Sequence, residues 1–137
     1  MTSTETAGGH TPAVLPRNER ALQTKVLAWL NAFGGHWENR SPGAFGSTGV
    51  PDITGIFLGR FVAIELKHPR HHHGPKPDDT RWPAQKRYLV NVYTSGGCAL
   101  ATNNLRAVKN LVREIARWKN SAGISLVLPS YLEDWGT

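Results

Sequence analysis

Apolar residues recur at helical spacing early in the chain: Leu22, Val26, Trp29, Leu30 and Phe33 fall on one face of a segment from about Glu19 to Phe33. Pro16 and Asn18 supply a turn and an N-cap ahead of it, and Gly34-Gly35 ends it. A short strand follows around His36 to Arg40, then a Gly- and Ser-rich loop from Ser41 to Gly49. The pattern next changes to two apolar runs, Ile53 to Leu58 and Phe61 to Leu66, divided by Leu58-Gly59-Arg60, which predicts a β-hairpin. A second helix is expected from Asp79 or Thr80, either able to cap it, to about Thr94, with Gln85, Tyr88, Leu89 and Val92 sharing one face. Cys98 to Thr102 reads as a core strand. Leu105 to Trp118 reads as a third helix, with Leu105, Val108, Leu111, Val112 and Ile115 inward and Arg106, Lys109, Arg113 and Arg117 outward. Ile124 to Leu132 is apolar enough for a strand, a docked extension or a dimer contact. Residues 1–16 form a polar tail expected to be disordered, and 17–137 a single domain without internal repeats.

Length and charge narrow the function. A chain of 137 residues supports one core, which excludes a second enzymatic module. Lysine and arginine outnumber aspartate and glutamate 16 to 10, a formal charge of +6 that favours a polyanionic partner, with nucleic acid the economical choice. The first residues lack the apolar run of a secretory signal and no stretch reaches the length of a membrane span, so a cytoplasmic protein is expected. Cys98 is the single cysteine, which rules out an intramolecular disulfide and a cysteine zinc cage. In its apolar strand it reads as a small core filler and not a nucleophile.

Polar residues intrude on this apolar pattern at a few positions. Strand side chains alternate faces, so Glu65 and Lys67 share one side while Leu66 faces the core, and the hairpin returns Asp52 beside them. Two carboxylates and an amine in one place suit a hard cation, Mg²⁺ or Mn²⁺, that keeps several waters. That is the equipment of phosphodiester hydrolysis. Glu19 falls within the angular range of the first helix's apolar stripe. Either the helix dipole, which favours an acid in the first turn, or a site on that side accounts for it. Gln85 repeats the intrusion on the second helix.

On Glu19, Gly49-Val50-Pro51-Asp52, Ile64-Glu65-Leu66-Lys67 and Gln85, the chain resembles the PD-(D/E)XK nuclease superfamily, and within it the small stand-alone VRR-NUC domains of phages and bacteria. The resemblance covers most of residues 18–102. It implies an α/β fold with a restriction-endonuclease-like αβββαβ core, a mixed sheet flanked by helices, cutting DNA with Mg²⁺ or Mn²⁺. In that pattern Asp52 and Glu65 hold the metal with the backbone carbonyl of Leu66, Lys67 positions the attacking water, Glu19 adds an acidic contact directly or through water, and Gln85 buttresses the site. It further implies four-way junction (Holliday junction) resolution by a homodimer. The segment from His68 to Pro77 is longer than the link such domains usually carry, and Tyr88 follows Gln85 by three residues where some branches have a tyrosine four residues on.

Arg40 and Ser41, with neighbouring Asn39, are candidates for phosphate contact, as are His68, Arg70 and Lys76 in the histidine-rich loop. His68, His71, His72 and His73 do not have the spacing or partners of a closed zinc site. The expected function is a metal-dependent DNA endonuclease, sharpest as a junction resolvase. A flap or nonspecific nuclease, an RNA-directed nuclease, and a non-cleaving DNA-binding module with the same fold are the alternatives.

Overall fold

Asn18 starts the first helix, α1 (Glu19–Phe33), by accepting a hydrogen bond from the Ala21 amide at 2.9 Å, and the Gly34 amide closes it on the Leu30 carbonyl at 3.0 Å. The computed structural model describes residues 15–40, 49–119 and 131–136, so most of the polar tail, Ser41 with its glycine-rich loop, and most of Ile124 to Leu132 lie outside the described residues. After α1 come β1 (His36–Asn39), β2 (Ile53–Phe57), β3 (Arg60–Leu66), α2 (Trp82–Thr94), β4 (Cys98–Thr102), α3 (Leu105–Lys119) and β5 (Tyr131–Asp134). The protein is α/β, and among the described residues its strands form a five-stranded mixed sheet in the order β1-β2-β3-β4-β5.

The predicted hairpin is β2–β3, joined through Leu58 and Gly59, both at positive φ, with Ile53 opposite Ile64 and Phe57 opposite Arg60. β3 then pairs parallel with β4, and β4 parallel with β5, crossovers that α2 and α3 supply. Strand alternation sorts the two faces. Val62, Ile64 and Leu66 of β3 join Leu22, Val26 and Leu30 of α1 and Val108, Leu111, Val112 and Ile115 of α3 in the main core. Burying one such side chain contributes roughly 1.5–3 kcal/mol, so this layer dominates the packing energy. Ala63, Ala99 and Ala101 face the other way, against Leu89 of α2, and Glu65 and Lys67 belong to that second face. Cys98 is buried in the main core, where desolvation holds its thiol above the ordinary range.

One expected core residue sits elsewhere. Phe33 is 41 % exposed, because α1 ends there and its ring stacks on Trp29 at 4.7 Å at the rim of the core. Gly55 shows how closely β1 approaches β2: a Cβ there would lie 2.2 Å from the His36 carbonyl oxygen and 2.5 Å from the Trp37 ring. Gly55→Ala is therefore expected to cost about 1–3 kcal/mol in urea denaturation, and an unchanged midpoint would contradict that packing.

Candidate active site

Asp52 ends the turn before β2, and the β2–β3 register carries it across from the end of β3, where its Oδ2 accepts the Leu66 amide at 2.8 Å. Glu65 and Lys67 are on the same face, with Lys67 Nζ 3.4 Å from Glu65 Oε2. Three sequence candidates are thus brought together. A cleft of ≈ 620 Å³ opens over the two acids, lined by Asp52, Glu65, Gln85 and Glu19 among others, with Lys67 buried beside it. The candidates come from four elements: the approach to β2, the end of β3, and the first turns of α1 and α2.

The carboxylates are held in an environment that resists their charge. Burial, then the charge of Asp52, pushes Glu65 up to about 8 despite the opposing pull of Lys67. Burial likewise raises Asp52 to about 6, against the Leu66 amide, with Glu19 adding to the rise. Glu65 Oε1 is a buried oxygen without a hydrogen-bond partner among the described residues. Two close carboxylates, one with an unpaired buried oxygen, fit a hard cation that takes one or two carboxylates and keeps its remaining ligands as water. Among the described residues no three His, Cys, Asp or Glu side chains are grouped to hold a metal ion. The carboxylates open to such an ion are Asp52 and Glu65, with Glu19 acting on both through its field.

Lys67 is 1 % exposed, and its ammonium is fully engaged. It donates to Gln85 Oε1 at 2.6 Å and Asp79 Oδ2 at 2.9 Å, leaving its third donor toward Glu65, and it lies 5.5 Å from the centre of the Trp82 ring. Gln85 therefore reaches the site through Lys67. Sequence pattern offers Asp79 or Thr80 as the cap of the second helix, and the structure starts that helix later. α2 starts at Trp82 with Arg81 as N-cap and no side-chain cap. A helix capped by Asp79 would require the Pro83 nitrogen to donate its first intrahelical bond, which proline cannot do, whereas a start at Trp82 puts Pro83 where no donor is needed. Asp79 instead braces the turn ahead of the helix, its Oδ1 accepting the Arg81 amide at 3.0 Å, and gives its Oδ2 to Lys67. Burial opposes its charge, yet the bond and charge of Lys67 hold its carboxyl below the usual range.

Gln23 of α1 is a second residue the pattern does not single out: its Nε2 donates to the Asn39 side chain and, at 3.4 Å, to the Asp52 carbonyl. Its placement on a helix turn beside Glu19 is the signal available in sequence. Arg40 lines the cleft, its amide donating to the Asp52 carbonyl at 2.8 Å and its Nε to Thr54 at 3.2 Å. His68, Arg70 and Lys76 do not line it. The loop that carries them is tied down from the far side: His72 bonds the Gly136 carbonyl at 2.7 Å, and Asn103 donates to the carbonyls of Pro69 and Gly136. Ser41 lies outside the described residues.

No protein-family model, no curated protein and no solved structure matches the chain. Among the described residues no helix is long and apolar enough to cross a membrane.

Proposed function

We propose that the protein is a metal-dependent DNA endonuclease. The observation that carries this reading is the pair of carboxylates, half-buried Asp52 and buried Glu65, both raised and one with an unpartnered oxygen, facing an open cleft beside a buried lysine. The order of the first six elements, α1-β1-β2-β3-α2-β4, supports the restriction-endonuclease-like αβββαβ core that the resemblance implies. A divalent Mg²⁺ or Mn²⁺ ion would supply the charge neutralisation and Lewis acidity that phosphodiester hydrolysis requires.

In this reading Asp52 and Glu65 hold the ion, helped by the Leu66 carbonyl, and Glu19 biases the site further toward a cation. Lys67 keeps Glu65 oriented, and Gln85 keeps Lys67 oriented. Because every Lys67 donor already has a protein partner, direct contact between its ammonium and a water or phosphate requires one partner to be exchanged. Selectivity for four-way junctions and a homodimeric state belong to the same proposal, as symmetric resolution needs two coordinated sites.

Labelled four-way junction, flap and linear duplex DNA, incubated with Mg²⁺, Mn²⁺ or chelator, form the test. Metal-dependent cutting that falls on the order of 10²–10³-fold or more in Asp52→Asn is expected. Paired symmetric nicks confined to the junction, from a dimer by mass, would identify a resolvase. Tight binding with no cutting of any substrate would instead make the chain a binding module.

A further inference from the structure

We infer that Arg20, Arg40 and Arg81 form the phosphate-binding rim of the cleft and are the side chains that grip the DNA backbone. The identity of the polyanion rests on the nuclease reading; the anion-binding rim rests on the cleft itself. The floor is acidic, so a phosphodiester meets repulsion there unless cations surround the approach. Three arginines line the same cleft as Asp52 and Glu65, and all three are exposed. Interleaved with them are neutral hydrogen-bonding side chains, Gln23, Thr24 and Asn39.

The charge of these guanidiniums is barely spent. Neither Arg20 nor Arg40 makes an ion pair among the described residues. Arg40 uses only Nε, on the neutral hydroxyl of Thr54, so both terminal amino groups are free for a bidentate phosphate contact among the described residues. Arg81 lies 3.7 Å from Asp79 with its side chain 60 % exposed, a loose pair, and its field already acts on Asp52. The other basic surface, on α3, is committed elsewhere. Arg106 pairs with Asp134 at 3.3 Å, Arg117 with Glu114 at 2.6 Å, and Lys109 and Arg113 lie over the Trp29 ring. The cleft rim therefore takes the place of the histidine-rich loop as the principal phosphate contact.

The test is anisotropy of labelled duplex DNA, with the full chain in chelator so that no cutting intervenes, over a range of salt. The slope of log affinity against log salt should fall by about 0.9 for each of Arg20→Gln, Arg40→Gln and Arg81→Gln, and by about the sum in the triple variant. Arg106→Gln with Lys109→Gln and Arg113→Gln serves as the comparison and should change the slope little. Circular dichroism verifies that each variant is folded; the three rim positions are exposed, and Arg→Lys versions, which keep the charge, should retain the slope. An unchanged slope in the rim triple, with the loss appearing in the α3 triple, overturns the proposal, as does native chain that binds no DNA at low salt. Cutting that survives with an unchanged slope defeats the rim alone, whereas a reduced slope in a chain that never cuts defeats the nuclease reading alone.

Discussion

Replacing Lys67 with methionine, which keeps the stem but removes the charge, is expected to lower stability by about 3–5 kcal/mol near neutral pH. The ammonium is 1 % exposed and serves Glu65, Asp79 and Gln85 together. Removing it leaves the charged Asp79 with only the Arg81 amide at 3.0 Å and a loose contact to the Arg81 guanidinium, and leaves the Gln85 oxygen without its donor, and these losses set the size of the effect. A lysine assigned only to chemistry would behave differently: its removal would abolish cutting and leave the fold unmoved. Urea denaturation in chelator measures the difference, and a loss under about 1 kcal/mol would show that the ion pairs contribute little. Adding Asp79→Leu to the methionine variant should recover part of the loss, since a half-buried acid that has lost its main partner is then gone. Lys67→Ala is accordingly a poor probe of catalysis, because it adds a cavity to the electrostatic damage.

Glu65→Gln is expected to act in opposite directions on activity and stability: cutting falls on the order of 10²–10³-fold or more, while the metal-free protein becomes more stable near pH 8. Burial holds Glu65 at about 8 where its ordinary value is 4.5, and Asp52 at about 6 from 3.8. An unfolded chain releases those protons at the ordinary values, but the folded chain keeps them. The stability they contribute is complete below about pH 4, falls as pH rises above the ordinary values, and is fully lost once pH passes the folded values of about 6 and about 8. Stability of the native chain in chelator should therefore fall from about pH 4 to about pH 8, with on the order of 2–4 kcal/mol of the fall lying between pH 6 and pH 8. Mg²⁺ or Mn²⁺ should reverse the drop at the alkaline end by binding the ionised pair. Glu65→Gln should flatten most of the profile and lose the metal's stabilising effect. A flat native profile in chelator would refute the electrostatic description of the pair.

What the sequence discloses follows the range of the interactions involved. α1 is legible from Asn18 to Gly34 because its cap, apolar stripe and terminating glycines are local. The β2–β3 hairpin is legible for the same reason, and it carries Asp52, Glu65 and Lys67 to one place through alternation and a short turn. Asp79 is not legible. Its partner is chosen by how the segment before α2 folds back on β3, and its local pattern imitates an N-cap that Pro83 disallows. Arg20, Arg81 and Gln23 are ordinary surface residues in sequence; only the convergence of two helix starts on one sheet end gives them a common cleft. The phosphate contacts expected from Arg70 and Lys76 follow local charge, whereas Asn103 and Gly136 decide where that loop is fastened.

The two-residue link at Leu58 and Gly59 has an evolutionary consequence. One residue added within β3 would exchange its faces, driving Glu65 and Lys67 into the aliphatic layer beneath α1 and lifting Leu66 into the cleft. Lineages can therefore lengthen the histidine-rich loop, which lies beyond the strand, and leave the acids in place. An insertion a few positions earlier would silence the protein in a single step. Length variation among descendants of this sequence should accordingly accumulate after Lys67 and be nearly absent between Asp52 and Lys67, a distribution set by the geometry of pleated strands.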